Sequence, residues 1–149
     1  MSVKVVVVDD EYLVRLGIQE TIDWKAHGFE IVGEASDGRK GLELVRKYKP
    51  DIVLTDIRMP FMDGLELMAR MREEGFSAKI VVLSGYAEFD YVKTAMDHGA
   101  STYLLKPIEN EKLLKTMKQL AQAILEEQQK GALFSILKDE LPVIRRQFF

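Results

Sequence analysis

Four places in the sequence carry groups that together could handle a phosphoryl group: Asp9-Asp10, Asp56, Ser84 and Lys106. Clustered carboxylates repel one another and are tolerated where a hard divalent cation neutralises them. Mg2+ binds through one or two carboxylates, waters and phosphate oxygens. An amine and a hydroxyl nearby suit the remaining phosphoryl oxygens. If these groups converge, the chemistry they support is phosphoryl transfer to a carboxylate with metal help, giving an aspartyl phosphate. Each also has an ordinary reading. Asp9-Asp10 would serve as a helix cap, Asp56 as a turn acid, Ser84 before Gly85 as a turn, and Lys106-Pro107 as a loop. What those readings leave unexplained is position, because each group closes an apolar run.

The elements that must position them are legible as alternating strand and helix patterns. Val3–Val8, Glu30–Ala35, Ile52–Leu54, Lys79–Ser84 and Thr102–Leu105 are short, β-branched or apolar runs that predict strands. Helical spacing predicts helices over Tyr12–Ile22, Gly41–Tyr48, Leu65–Arg72, Glu88–His98 and Asn110 to about Gln128. Leu13, Leu16 and Ile22 are the expected apolar positions of the first helix, with Ile18 beside them. Asp37-Gly38 and Asp63-Gly64 mark turns, and Pro50, Gly75 and Gly99 close helices. Alternation through five units argues a doubly wound α/β fold, a parallel sheet with helices on both faces. In a right-handed parallel sheet all strand carboxyl ends lie on one edge, where open α/β sheets bind their ligands. The second strand ends in no comparable group, which fits a place at the border.

With 149 residues, 47% hydrophobic and 30% charged, the chain suits one domain with a real core. The net charge of −3 gives no basic footprint, so no nucleic acid is expected on this segment. The absence of Cys excludes disulfides, thiolate metal sites and cysteine nucleophiles. No apolar run reaches membrane-spanning length and Val3–Val8 is too short for a signal-peptide core, so a cytoplasmic location is the expectation. His27 and His98 stand alone and are not expected to be ligands, while Met68, Met71, Met96 and Met117 are expected in the core.

Asp9-Asp10, Asp56, Ser84 and Lys106-Pro107 in this order resemble the receiver domain of two-component response regulators, over Val3 to about Leu125. The resemblance implies a flavodoxin-like sheet order of 2-1-3-4-5 and phosphorylation of Asp56 by a partner sensor histidine kinase. It implies Mg2+ (or Mn2+) held by Asp10, Asp56 and the backbone carbonyl of Arg58, with Asp9 helping directly or through water. Ser84 and Lys106 would bind the phosphoryl group, Tyr103 would be the aromatic switch, and the bond before Pro107 is typically cis in this family. Arg58 and Tyr86 match positions that tune dephosphorylation.

Asp9-Asp10-Glu11, Leu13–Ile18, the Trp24 loop and Ser84–Tyr91 are most similar to receivers of AraC-type transcription regulators. Those regulators continue into a DNA-binding domain. This chain stops at Phe149, which leaves open a piece of a longer protein or a receiver with a short tail. The expected division is a receiver over 1–125 and a helical linker or tail over 126–149. The implied output is a homodimer through the face made by the fourth helix, fifth strand and last helix. Leu113, Met117, Leu120 and Ile124 repeat at heptad spacing. The first half of this stripe is expected in the core, and a dimer or linker role is expected toward Ile124 and Leu125. Leu133, Ile136 and Leu137 would extend the contact or touch a further domain. No enzyme activity on external substrates is expected. A haloacid-dehalogenase-type phosphatase wants an acid where Arg58 stands, and a flavodoxin-like carrier wants a hydroxyl-rich phosphate loop where Asp9-Asp10-Glu11 stands. A receiver that works as an interaction module without phosphorylation is the third alternative.

Overall fold

A computed structural model describes residues 2–85 and 88–140. Tyr86 and the tail from Leu141 onward, including Arg145 and Arg146, lie outside the described residues. The elements are β1 (Val3–Val8), α1 (Tyr12–Glu20), a short 3-10 turn (Lys25–His27), β2 (Phe29–Ala35), α2 (Gly38–Tyr48), β3 (Ile52–Asp56), α3 (Gly64–Glu73), β4 (Lys79–Ser84), α4 (Phe89–Asp97), β5 (Thr102–Leu105) and α5 (Asn110–Glu140). The five strands form one sheet in the order β2-β1-β3-β4-β5, and all pairs are parallel. This is the doubly wound, flavodoxin-like arrangement with helices on both faces.

Strand periodicity explains the two layers. Val6, Val8, Val53, Ile80 and Val82 share one face and form a cluster with Leu42 and Val45 of α2, Leu67, Met68 and Met71 of α3, and Val92 and Ala95 of α4. Val5, Val7, Ile52, Leu54, Val81 and Leu83 alternate with them and are equally buried. Ile18 of α1 and Leu113 of α5 are buried outside that cluster. Trp24 closes the start of β2: its indole meets the Phe29 ring edge-on at 5.6 Å and donates to the Ile18 carbonyl at 2.8 Å.

Several elements differ from the sequence expectation. The helices α2 and α3 start at Gly38 and Gly64, because Asp37 and Asp63 are their N-caps and accept from Lys40 N (2.9 Å) and Glu66 N (2.8 Å). Helix α5 continues through Gly131 to Glu140, since one glycine costs only about 1 kcal/mol against alanine among good helix formers. Leu13 and Leu16 are not core: they are 79% and 39% exposed, and Ile18 is the buried residue of α1. Met96 is 39% exposed because α4 turns Val92 and Ala95 inward, whereas Met68, Met71 and Met117 are buried.

The chain divides into two compact units, residues 1–115 and 116–149, with the boundary inside α5. In the second unit Met117 is buried, while Leu125, Leu133, Ile136 and Leu137 are exposed. No helix among the described residues is long and apolar enough to cross a membrane.

Candidate functional site

Strand register brings the predicted groups together. Val8 pairs with Thr55, so Asp9 and Asp56 come next on adjacent strands. Asp56 pairs with Leu83, and Ser84 pairs with Leu105, so Lys106 follows on the next strand over. Four strand ends thus supply carboxylates, a hydroxyl and an amine to one edge of the sheet. The backbone between β3 and α3 also folds tightly there. Gly64 N donates to the Ile57 carbonyl at 2.6 Å, and a Cβ at Gly64 would collide with the Asp56 carbonyl.

The Lys106 ammonium is the hub. It lies 3.0 Å from Asp9 Oδ2, 3.0 Å from Glu11 Oε1 and 3.2 Å from Asp56 Oδ2. It donates hydrogen bonds to Glu11 and Asp56, and it meets Asp9 Oδ2 as an ion pair. Asp56 Oδ1 accepts from the Ile57 N–H at 2.8 Å, and Asp9 Oδ1 accepts from the Glu11 N–H at 2.9 Å. Asp9 therefore does not cap α1; Glu11 occupies the cap position and makes no side-chain cap bond. Asp9, Asp56 and Ser84 are buried, while Asp10 and Glu11 are exposed at the mouth. Asp9, Asp10, Glu11 and Asp56 each offer a carboxylate oxygen, all within 4.8 Å of one another. Among the described residues, the buried atoms without a hydrogen-bond partner include two at this site, Asp9 Oδ2, which has only the ion pair with Lys106, and Ser84 Oγ.

This geometry sets the electrostatics. Burial, with the Asp9 charge beside it, pushes Asp56 up to about 7, against the opposing pull of Lys106. Burial also raises Asp9, only partly offset by the Glu11 N–H and Lys106. Burial pulls Lys106 down, but its contacts with Asp9 and Glu11 and the nearby Asp56 charge outweigh that and hold it above its ordinary value. One ammonium does not neutralise the acids around it. An additional cation would relieve the site, and an incoming anionic oxygen would meet both the ammonium and an unpaired hydroxyl.

The remaining predicted residues are placed more loosely. Arg58 follows Asp56 by two positions and extends its guanidinium over the Tyr91 ring of α4 at 5.7 Å. Tyr103 is 46% exposed on β5, and the Lys106–Pro107 peptide is cis. Glu11 is the site residue that sequence reasoning passed over as a candidate. Its signal was contiguity with Asp9-Asp10, but its reach to Lys106 spans 95 positions and is invisible in spacing.

The family of the Response regulator receiver domain matches residues 5–118. Among curated relatives, the chain is 34% identical over 142 residues to the transcriptional regulatory protein YesN of Bacillus subtilis, covering 95% of this chain and 39% of YesN. It is 34% identical to the transcriptional regulatory protein HptR of Staphylococcus aureus, covering 84% of this chain and 49% of HptR. The chain spans half or less of the length of these relatives. Among solved structures it is similar to the receiver of AraT from Geobacillus stearothermophilus, with 38% identity, a TM-score of 0.81, and coverage of 86% of this chain and 99% of that one. A two-component transcriptional regulator AraC from Clostridium phytofermentans follows at 35% identity and a TM-score of 0.77, over 85% of this chain and 98% of that one.

Proposed function

Because the chain belongs to the response regulator receiver domain family, we propose that Asp56 is its phosphoacceptor, charged by a sensor histidine kinase. The observation that carries the reading is the union of Asp56 Oδ2 with Lys106 at 3.2 Å and the buried, unpartnered Ser84 hydroxyl on the neighbouring strand. In the transfer, an Asp56 oxygen forms the new O–P bond as the P–N bond to the donor imidazole breaks, and the imidazole keeps the electron pair and takes a proton. Lys106 then pairs with a phosphoryl oxygen and Ser84 donates its idle O–H to another.

The acidic cluster fits Mg2+, because four carboxylates lie within 4.8 Å of one another around a single ammonium, and burial with the Asp9 charge holds Asp56 up at about 7. Asp9, Asp10, Asp56 and the Arg58 carbonyl would hold the ion. Bound there, it would neutralise the carboxylates and the charge developing on the phosphoryl oxygens. Next to Lys106 opens an apolar groove lined by Leu13, Val14, Ile18, Pro107 and Ile108, a surface on which the kinase can dock beside Asp56.

A phosphoryl group adds roughly −1.5 to −2 charges and three acceptor oxygens. Ser84 moves toward them, and Tyr103 follows from its exposed position into the vacated space. The α4–β5–α5 face is the bistable element, and phosphate shifts a pre-existing equilibrium toward the dimer. Exposed Tyr91, Met96, Tyr103 and Leu105 support that face as a contact surface. In the whole regulator, with the receiver over 1–125 and the linker over 126–149, the output is control of transcription.

The test is intact mass and size-exclusion elution after incubation with acetyl phosphate and MgCl2, beside Asp56→Ala. One added phosphoryl group that requires Asp56, with a shift toward dimer, is the expected result. A folded, Mg2+-binding sample that takes up no phosphate would overturn the reading in favour of a module that works without phosphorylation.

A further inference from the structure

We infer that Arg15 is a positioning residue for the metal site: it holds the Asp9 carbonyl and so sets how Asp9 and Asp10 present their carboxylates to a divalent cation. This rests on the Mg2+ reading above. The parallel pairing of β1 ends at Val8, opposite Ala35 on one side and Thr55 on the other. Asp9, one residue beyond the strand, still donates its N–H to the Ala35 carbonyl at 3.0 Å. Buried backbone carbonyls need partners. Arg15 supplies one to the Asp9 carbonyl, donating from Nη1 to Asp9 O at 2.6 Å.

The guanidinium is itself held in place. Its Nε donates to Glu34 Oε1 at 2.9 Å, and the Tyr12 ring lies 5.6 Å from its centre. Gln19 donates to the other oxygen of Glu34, and these two bonds hold that carboxylate below its ordinary range. The Arg15 side chain is only 15% exposed. One planar fork therefore ties the end of β1 to the end of β2 and the first turn of α1. The consequence falls on the acids. Asp9 Oδ1 is already committed to the Glu11 N–H, so the direction of Oδ2 follows from the backbone at Asp9 to Glu11. That backbone is what Arg15 holds. A lysine would keep the charge but could not reach both Asp9 O and Glu34 in fixed directions.

The experiment is isothermal titration calorimetry with MgCl2 on the wild-type chain, Arg15→Met and Arg15→Lys, with thermal melts of each. Groups that orient metal ligands typically matter at the level of 10–100-fold in affinity. Arg15→Met is expected near the low end, about tenfold weaker, and Arg15→Lys roughly threefold weaker or more. A role through charge alone predicts the reverse: removing the cation tightens Mg2+ binding and lysine leaves it unchanged. Either of those results overturns the inference. So does a lowered melting temperature with an unaltered Mg2+ affinity, the mark of a merely structural contact. If Arg15→Met does not fold, Arg15→Lys decides by the same criteria. Wild-type chain that binds no Mg2+ overturns the metal reading and this inference with it. Wild-type binding with unaltered affinity in the variants overturns this inference alone.

Discussion

Asp56 is a carboxylate that burial and Asp9 hold at about 7, well above the roughly 3.9 of an aspartate in an unfolded chain. Between those values the folded chain carries a proton that the unfolded chain has lost. The stabilisation this represents is complete below the unfolded value and disappears as pH rises through 7. The melting temperature of metal-free protein should therefore fall from pH 5 to pH 8, and Asp56→Asn should flatten that slope in a differential scanning fluorimetry series. MgCl2 should raise the melting temperature more at pH 8 than at pH 5. A second prediction concerns Ser84, whose buried hydroxyl has no partner. Deleting an unsatisfied polar atom is close to neutral for stability, so Ser84→Ala should change urea unfolding by no more than about 1 kcal/mol. Its acetyl phosphate reaction should still add mass at Asp56 while the elution shift is lost. An unchanged shift would remove Ser84 from the switch.

At the scale of elements, two glycines make opposite demands. Gly64 begins α3 hard against the Asp56 carbonyl, so Gly64→Ala forces the β3–α3 connection apart. Overpacking of that kind costs about 1–3 kcal/mol, and denaturant unfolding together with slowed phosphorylation should report it. Gly131 lies inside α5 with nothing within 4 Å of an added Cβ. Gly131→Ala should therefore stabilise the helix by about 0.5–1 kcal/mol, read as increased helical ellipticity at elevated temperature. Element boundaries were also where sequence reading was weakest. Asp37-Gly38 and Asp63-Gly64 carry the signature of turns, yet each is a cap and first helical residue, because the aspartate satisfies an N–H that a turn would have left to water.

For the molecule as a whole, the proposed output is association through the face that leaves Tyr103 and Leu105 exposed on β5. Leu105→Asp should leave phosphorylation of Asp56 intact by mass and abolish the shift toward dimer in light scattering, since a charge at a 44% exposed position disturbs a contact surface and not the core. The parallel sheet and the gathering of Asp9, Asp56, Ser84 and Lys106 at one edge were legible in the sequence alone, while the sheet order came with the family resemblance. Apolar runs joined by helices favour right-handed parallel crossovers, and parallel pairing then aligns the strand ends. Three other features were decided only by tertiary structure: the exposure of Leu13 and Met96, the sharing of one Lys106 ammonium among Asp9, Glu11 and Asp56, and the fork of Arg15 on the Asp9 carbonyl. Spacing gives a helix its apolar stripe but not its rotation against the sheet. Charge interactions and hydrogen bonds depend on distances of a few ångströms and on burial, which exist only once the chain has packed.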